Sequence, residues 1–146
     1  MAYRRILLGI DLRGQSELVA RRAIEVAQAT GASLTLLHVV EFIPVDPAGE
    51  ALLPPPVNLE EELVASARQR LETLATSIGL GDADRRIEIG TIKHEILRVA
   101  QEIDADLIML GSYERHGLAL LLGTTEKSVL NAAPCDVLAV RLNPNT

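Results

Sequence analysis

Arg5-Ile6-Leu7-Leu8-Gly9-Ile10-Asp11 holds a short apolar run, Ile6 to Ile10, that ends abruptly on a carboxylate. Side chains alternate across a strand, and here both faces are aliphatic, which describes a strand covered by helices on its two sides. Downstream, Ser16 is placed to cap a helix on which Val19, Ala20, Ala23, Ile24 and Ala27 recur at helical spacing. Gly31 stands where the chain leaves that helix with positive φ. A second aliphatic run, Leu34 to Val40, follows. Two buried strands separated by one helix make a right-handed βαβ unit, so the sheet is predicted to be parallel from its first two strands.

The same alternation continues along the chain. Pro44, Pro47, Pro54, Pro55 and Pro56 remove backbone donors and disfavour helix, so Pro44 to Val57 reads as a loop. Asn58 with Glu61 resembles a capping box, opening a helix whose stripe is Leu63, Val64, Ala67, Leu71, Leu74 and Ile78 before Gly79. Arg86 to Ile89 reads as a third strand. Ile92, Ile96, Val99, Ala100 and Ile103 mark a third helix, and Leu107 to Leu110 a fourth strand. After the glycine-containing segment Gly111 to Gly123, a helix over Thr125 to Ala132 is stopped by Pro134, and Val137 to Val140 is the fifth strand. The order βαβαβαβαβ predicts an α/β fold with an open, doubly wound, five-stranded parallel sheet. Ligands of such sheets bind beyond the strand C-termini where strand order reverses, and Asp11 and Gly111 fall at such ends.

Bulk properties narrow the function. The 146 residues suit one domain, 1–146, with a core filled by Leu, Ile, Val and Ala, since 48% of the chain is hydrophobic and only 2% aromatic. A net charge of -6 and a pI near 5.0 supply no basic footprint for nucleic acid or an anionic membrane, so neither is expected as a partner. Cys135 is the single cysteine, which excludes an internal disulfide framework and points to a reducing compartment. Asp11 cuts the first apolar run far short of a signal-peptide core, and no uncharged stretch is long enough to span a bilayer, so the expected location is the cytoplasm.

Four segments together resemble the universal stress protein family, along nearly the whole chain. They are Arg5 to Asp11; Leu37-His38-Val39-Val40; Asp104-Ala105-Asp106-Leu107-Ile108-Met109-Leu110-Gly111-Ser112; and Ala133-Pro134-Cys135-Asp136-Val137-Leu138-Ala139-Val140. The resemblance, to the single-domain UspA-like form, implies a sheet ordered 3-2-1-4-5 like that of adenine nucleotide alpha hydrolases. It also implies a homodimer through the last strand and, in one branch of the family, ATP or another adenine nucleotide in the crevice. The ATP-binding branch carries a spaced glycine motif closed by Gly-Ser or Gly-Thr. Glycine admits the phosphate to the backbone, and the helix that opens there offers free N–H groups and a positive dipole end.

Gly111 matches the first position and Gly123-Thr124 the last pair, but the spacing is one residue short and Glu114 stands where the second glycine belongs. A carboxylate about 4 Å from a phosphate charge, at an effective dielectric near 20, repels it by about 4 kcal/mol. Arg115, His116 or Lys93 would offset that, and rotation of Glu114 to solvent would reduce it. The nucleotide site is therefore a degenerate one, and the shortened spacing is more like that of the family's other branch, which holds no ATP; the alternative to an adenine nucleotide is no cofactor. The resemblance places Asp11 near the adenine or ribose, the Val39 backbone at the base, Gly111 at the ribose, and Gly123 and Thr124 at the phosphates.

Plainer roles stand beside these. Asp11 either orients a ligand or accepts hydrogen bonds from nearby turn N–H groups. Gly111, Gly117 and Gly123 can serve turn geometry alone, and Thr124 and Thr125 can cap the fourth helix with no ligand present. Asp104 and Asp106 precede the fourth strand, at the end of the sheet away from the crevice, and read as turn residues. His38, His94 and His116 lack metal-binding spacing, and His38 reads as a satisfied core histidine. Cys135 reads as an inert core thiol, and no Gly-x-Ser-x-Gly elbow marks a hydrolase triad.

The leading reading is a stress-response binding or regulatory protein. The alternative is an enzyme that hydrolyses adenine nucleotides or adenylates a substrate. Against it, Leu12-Arg13-Gly14-Gln15-Ser16 lacks the Ser-Gly-Gly phosphate loop of the adenylating enzymes. A phosphoreceiver domain needs an acceptor Asp after the third strand, where Gly90 stands. Val137 to Val140 is an apolar strand at the sheet edge, and such an edge tends to pair with another chain.

Overall fold

A computed structural model describes residues 3–12, 14–41, 59–113 and 124–142. Its strands are β1 (Arg5–Gly9), β2 (Ser33–Val40), β3 (Asp84–Ile89), β4 (Leu107–Tyr113) and β5 (Asp136–Leu142). The helices between them are α1 (Ser16–Thr30), α2 (Leu59–Ser77), α3 (Ile92–Glu102) and α4 (Thr124–Ala132). Every strand pair is parallel and the order is β3-β2-β1-β4-β5, the doubly wound sheet anticipated from the alternation of elements.

Alternation along each strand divides the core into two layers. Ile6, Leu8, Leu34, Leu36, Leu107 and Met109 face α1 and α2, packing with Val19, Ala23, Ala67 and Leu71. Leu7, Leu37, Val39, Ile108 and Leu110 face α3 and α4, packing with Ile96, Val99 and Val129. Burial of aliphatic side chains on both faces is what a central parallel strand requires, and Ile6, Leu7 and Leu8 are fully buried. Among the described residues, no helix is long and apolar enough to cross a membrane.

Several element boundaries differ from those read in the sequence. β3 starts at Asp84 rather than Arg86, because Asp84 and Arg85 continue the ladder opposite Thr35 and Leu36 although neither is apolar. Arg85 turns its guanidinium onto the carbonyls of Leu80, Gly81 and Ala83 and onto Glu72, so a charged residue is satisfied within an edge strand. β4 and β5 run on together as far as Tyr113 and Leu142. Ser16 is the first residue of α1 rather than its cap; Gln15 holds the cap position and makes no side-chain cap bond. Gly31 does end α1, at φ 73. Leu63, assigned to the buried stripe of α2, is 37% exposed. α4 opens at Thr124, one residue earlier than expected. The proline-rich stretch from Pro44 to Val57, with Asn58, lies outside the described residues.

Candidate functional site: the crevice beyond β1 and β4

The chain leaves β1 for α1 on one face of the sheet and leaves β4 for α4 on the other. Connections that part to opposite faces leave a crevice beyond the strand C-termini, where an open α/β sheet places its ligand. β1 stops early at this point. Its last pairs are Leu8 with Met109 and Gly9 with Leu37, while β4 continues beside β5.

Asp11, Val39 and Gly111 stand at this end of three adjacent strands. Asp11 is exposed, and its Oδ1 accepts a hydrogen bond from Ser16 Oγ at 3.0 Å. The carboxylate is thus tied to the first turn of α1 through a hydroxyl and remains open to solvent. Leu12 follows at φ 60 and buries its side chain in the layer beneath α1 and α2.

Val39 is placed by strand parity. Leu37 O accepts from Ile10 N on the β1 side of β2, and Val40 O accepts from Gly90 N on the β3 side. In a parallel strand both backbone groups of one residue point the same way, alternating along the chain. The N–H and C=O of Val39 thus point to the β1 side, beyond the last ladder pair of β1. Its side chain packs into the opposite layer, under α3.

Gly111 has a packing reason of its own. A Cβ there would lie 2.7 Å from Leu142 Cδ1 and 3.0 Å from Val19 Cγ2, so α1 and β5 close on this backbone whether or not a ligand approaches it. Thr124 is the first residue of α4, and its side chain lies outside the described residues. Glu114, Arg115, His116, Gly117 and Gly123 lie outside them entirely. Lys93 is exposed on the first turn of α3, whose leading amide, Ile92 N, donates to Glu41 Oε1 at 3.4 Å.

The remaining polar residues sort by position. Asp106 lies at the other end of the sheet, accepting from Arg4 N at 2.8 Å and Arg5 N at 3.0 Å, and Asp104 takes the left-handed conformation at φ 54, as turn residues do. Burial, with Asp136 and Asp106 nearby, pushes the Cys135 thiol up, away from the thiolate that nucleophilic chemistry needs. His38 has a hydrogen-bond partner but is half-buried rather than a core residue: its Nδ1 lies 2.6 Å from the carbonyl oxygen of Ile10 at the crevice. Arg70 of α2 donates to Leu12 O. Sequence reasoning passed over Arg70, because a cation on the flank of an amphipathic helix carries no periodic signal. Among the described residues, no three His, Cys, Asp or Glu side chains gather as a metal-holding group.

Residues 2–141 match the family model described as the universal stress protein family. The chain belongs to that family. "Universal stress protein A homolog 1" of Coxiella burnetii is 39% identical over 140 residues, covering 96% of this chain and 97% of its own. Among solved structures, universal stress protein UspA from Lactobacillus plantarum superposes with a TM-score of 0.70 at 30% identity, over 97% of this chain and 99% of that one. A universal stress protein solved in complex with cAMP shares the fold, with a TM-score of 0.62 at 23% identity over 96% of this chain and 98% of that one.

Proposed function

We infer that this universal stress protein is a stress-response binding protein of one domain, residues 1–146, working as a cytoplasmic homodimer. Its crevice takes an adenine nucleotide. The carrying observation is the paired backbone edge of Val39 facing the gap left by β1, next to the exposed carboxylate of Asp11. A strand-like N–H and C=O pair complements the edge of adenine, which offers a ring-nitrogen acceptor beside an exocyclic amino donor. A carboxylate accepts from ribose hydroxyls or from that same amino group. A family member carries cAMP in its complex, which supports a nucleoside in this crevice.

The phosphate end is the weaker part. Glu114 opposes added negative charge by about 4 kcal/mol at close approach, and the loop from Gly111 to Gly123 is one residue short of the motif. Recognition therefore rests on the nucleoside, and AMP and cAMP bind at least as tightly as ATP. Isothermal titration with ATP, ADP, AMP and cAMP, paired with thermal unfolding, tests this directly. Absence of heat and of any thermal shift at millimolar ligand would remove the nucleotide reading. ATP binding far more tightly than AMP would restore a working phosphate cradle, and steady release of phosphate would revive the enzymatic alternative.

A further inference from the structure

Two side chains from distant parts of the sequence hold the carbonyls on either side of Asp11. His38 belongs to the row of β2 that faces α1 and α2, and its Nδ1 lies 2.6 Å from Ile10 O. A carbonyl oxygen only accepts, so this nitrogen carries a proton, whatever the state of Nε2. Arg70 reaches from α2 and donates through Nη2 to Leu12 O. Between these two anchors the Asp11 carboxylate accepts from Ser16 Oγ. Leu12 sits at φ 60, a left-handed conformation that any residue with a Cβ disfavours, so the turn needs outside contacts to keep its shape.

We propose that His38 and Arg70 are positioning residues of the crevice: they fix the carbonyls of Ile10 and Leu12, and through them the orientation in which Asp11 meets the nucleoside. A turn held in the free protein need not be ordered by the ligand, and that saving appears as affinity. The ligand half of this proposal rests on the adenine-nucleotide reading of the crevice; the clamp itself is a property of the free protein.

The experiment reads both halves. Backbone ¹⁵N relaxation on the free protein follows Asp11 and Leu12, and AMP titration follows affinity, in wild type, Arg70→Met, Asp11→Asn and the double variant. Arg70 is exposed, so Arg70→Met keeps the aliphatic stem and leaves the core intact. In that variant Asp11 and Leu12 should become mobile while β1 and β2 stay rigid, and AMP affinity should fall about tenfold. Asp11→Asn, costing about tenfold in wild type, should then cost less than about twofold in the Arg70→Met background.

His38→Asn, which keeps a donor close to the position of Nδ1, should preserve the rigid turn, and His38→Leu should not. If His38→Leu fails to fold, Arg70→Met decides alone. A turn that stays rigid in Arg70→Met overturns the clamp, and fully additive losses of affinity overturn its action through Asp11. If wild type binds no AMP, the nucleotide reading falls by itself, and relaxation still decides whether the clamp exists.

Discussion

A methyl group added at Gly111 would sit 2.7 Å from Leu142 Cδ1 and 3.0 Å from Val19 Cγ2. The leucine methyl is the far end of a flexible side chain and can swing aside. Val19 is β-branched in a helix and cannot turn without leaving its preferred rotamer. Gly111→Ala should therefore destabilise the protein by about 1–2 kcal/mol, within the range for overpacking, read as a lowered urea midpoint at unchanged slope. A neutral result would mean that α1 yields here, and the glycine would then owe its presence to the crevice. The sequence motif drew attention to Gly111 for the second reason, and packing supplies the first. The crowding comes from Val19 and Leu142, brought together only by the fold, so no local pattern could announce it. His38 shows the same limit: the apolar run around it suggested a core position, whereas it is half-buried, and its partner on the neighbouring strand's exit carried no local signal.

At the scale of elements, Asp106 pins the start of β1 to the turn before β4. Its two oxygens accept from the amides of Arg4 and Arg5, and its own amide donates to Arg5 O, so the two central strands begin in fixed register. Burial pushes the Asp106 carboxyl up, but the backbone donors of Arg4, Arg5 and Asp106 outweigh it and hold the group below its ordinary value of 3.8. A depressed folded pKa means that the folded state binds fewer protons than the unfolded chain in that range. The stabilisation is thus complete above the ordinary carboxylate range and is lost as pH falls through the lowered folded value. Asp106→Asn should flatten this part of the acid limb and cost about 1 kcal/mol at neutral pH, measured by urea unfolding across an acid series. An unchanged acid limb would place the pinning elsewhere. The order and type of the nine elements among the described residues were readable from aliphatic runs and helical spacing. Boundaries failed where a strand continues through residues that its neighbour, not their hydropathy, holds in place, as at Asp84 and Arg85 opposite Thr35 and Leu36.

Among the described residues of the whole molecule, the sheet ends in two strands of unlike character, β3 and β5. β3 reads Asp84-Arg85-Arg86-Ile87-Glu88-Ile89, and Arg86 and Glu88 join Arg98, Glu95 and Glu102 in a charge network over α3. Charges along an edge discourage pairing with another chain. β5 reads Asp136-Val137-Leu138-Ala139-Val140-Arg141-Leu142, aliphatic through its middle, and Leu130 on the neighbouring α4 is 59% exposed. An edge of that kind is a template for a second copy of itself, related by a two-fold axis that closes the assembly at two chains. The particle should therefore have twice the 15.8 kDa of the chain in sedimentation at micromolar concentration. Ala139 is exposed on β5, so Ala139→Lys sets like charges against each other across the two-fold without touching the core, and should yield a folded monomer. A wild-type monomer would sink the β5 interface outright. A dimer indifferent to Ala139→Lys would move the contact off this strand.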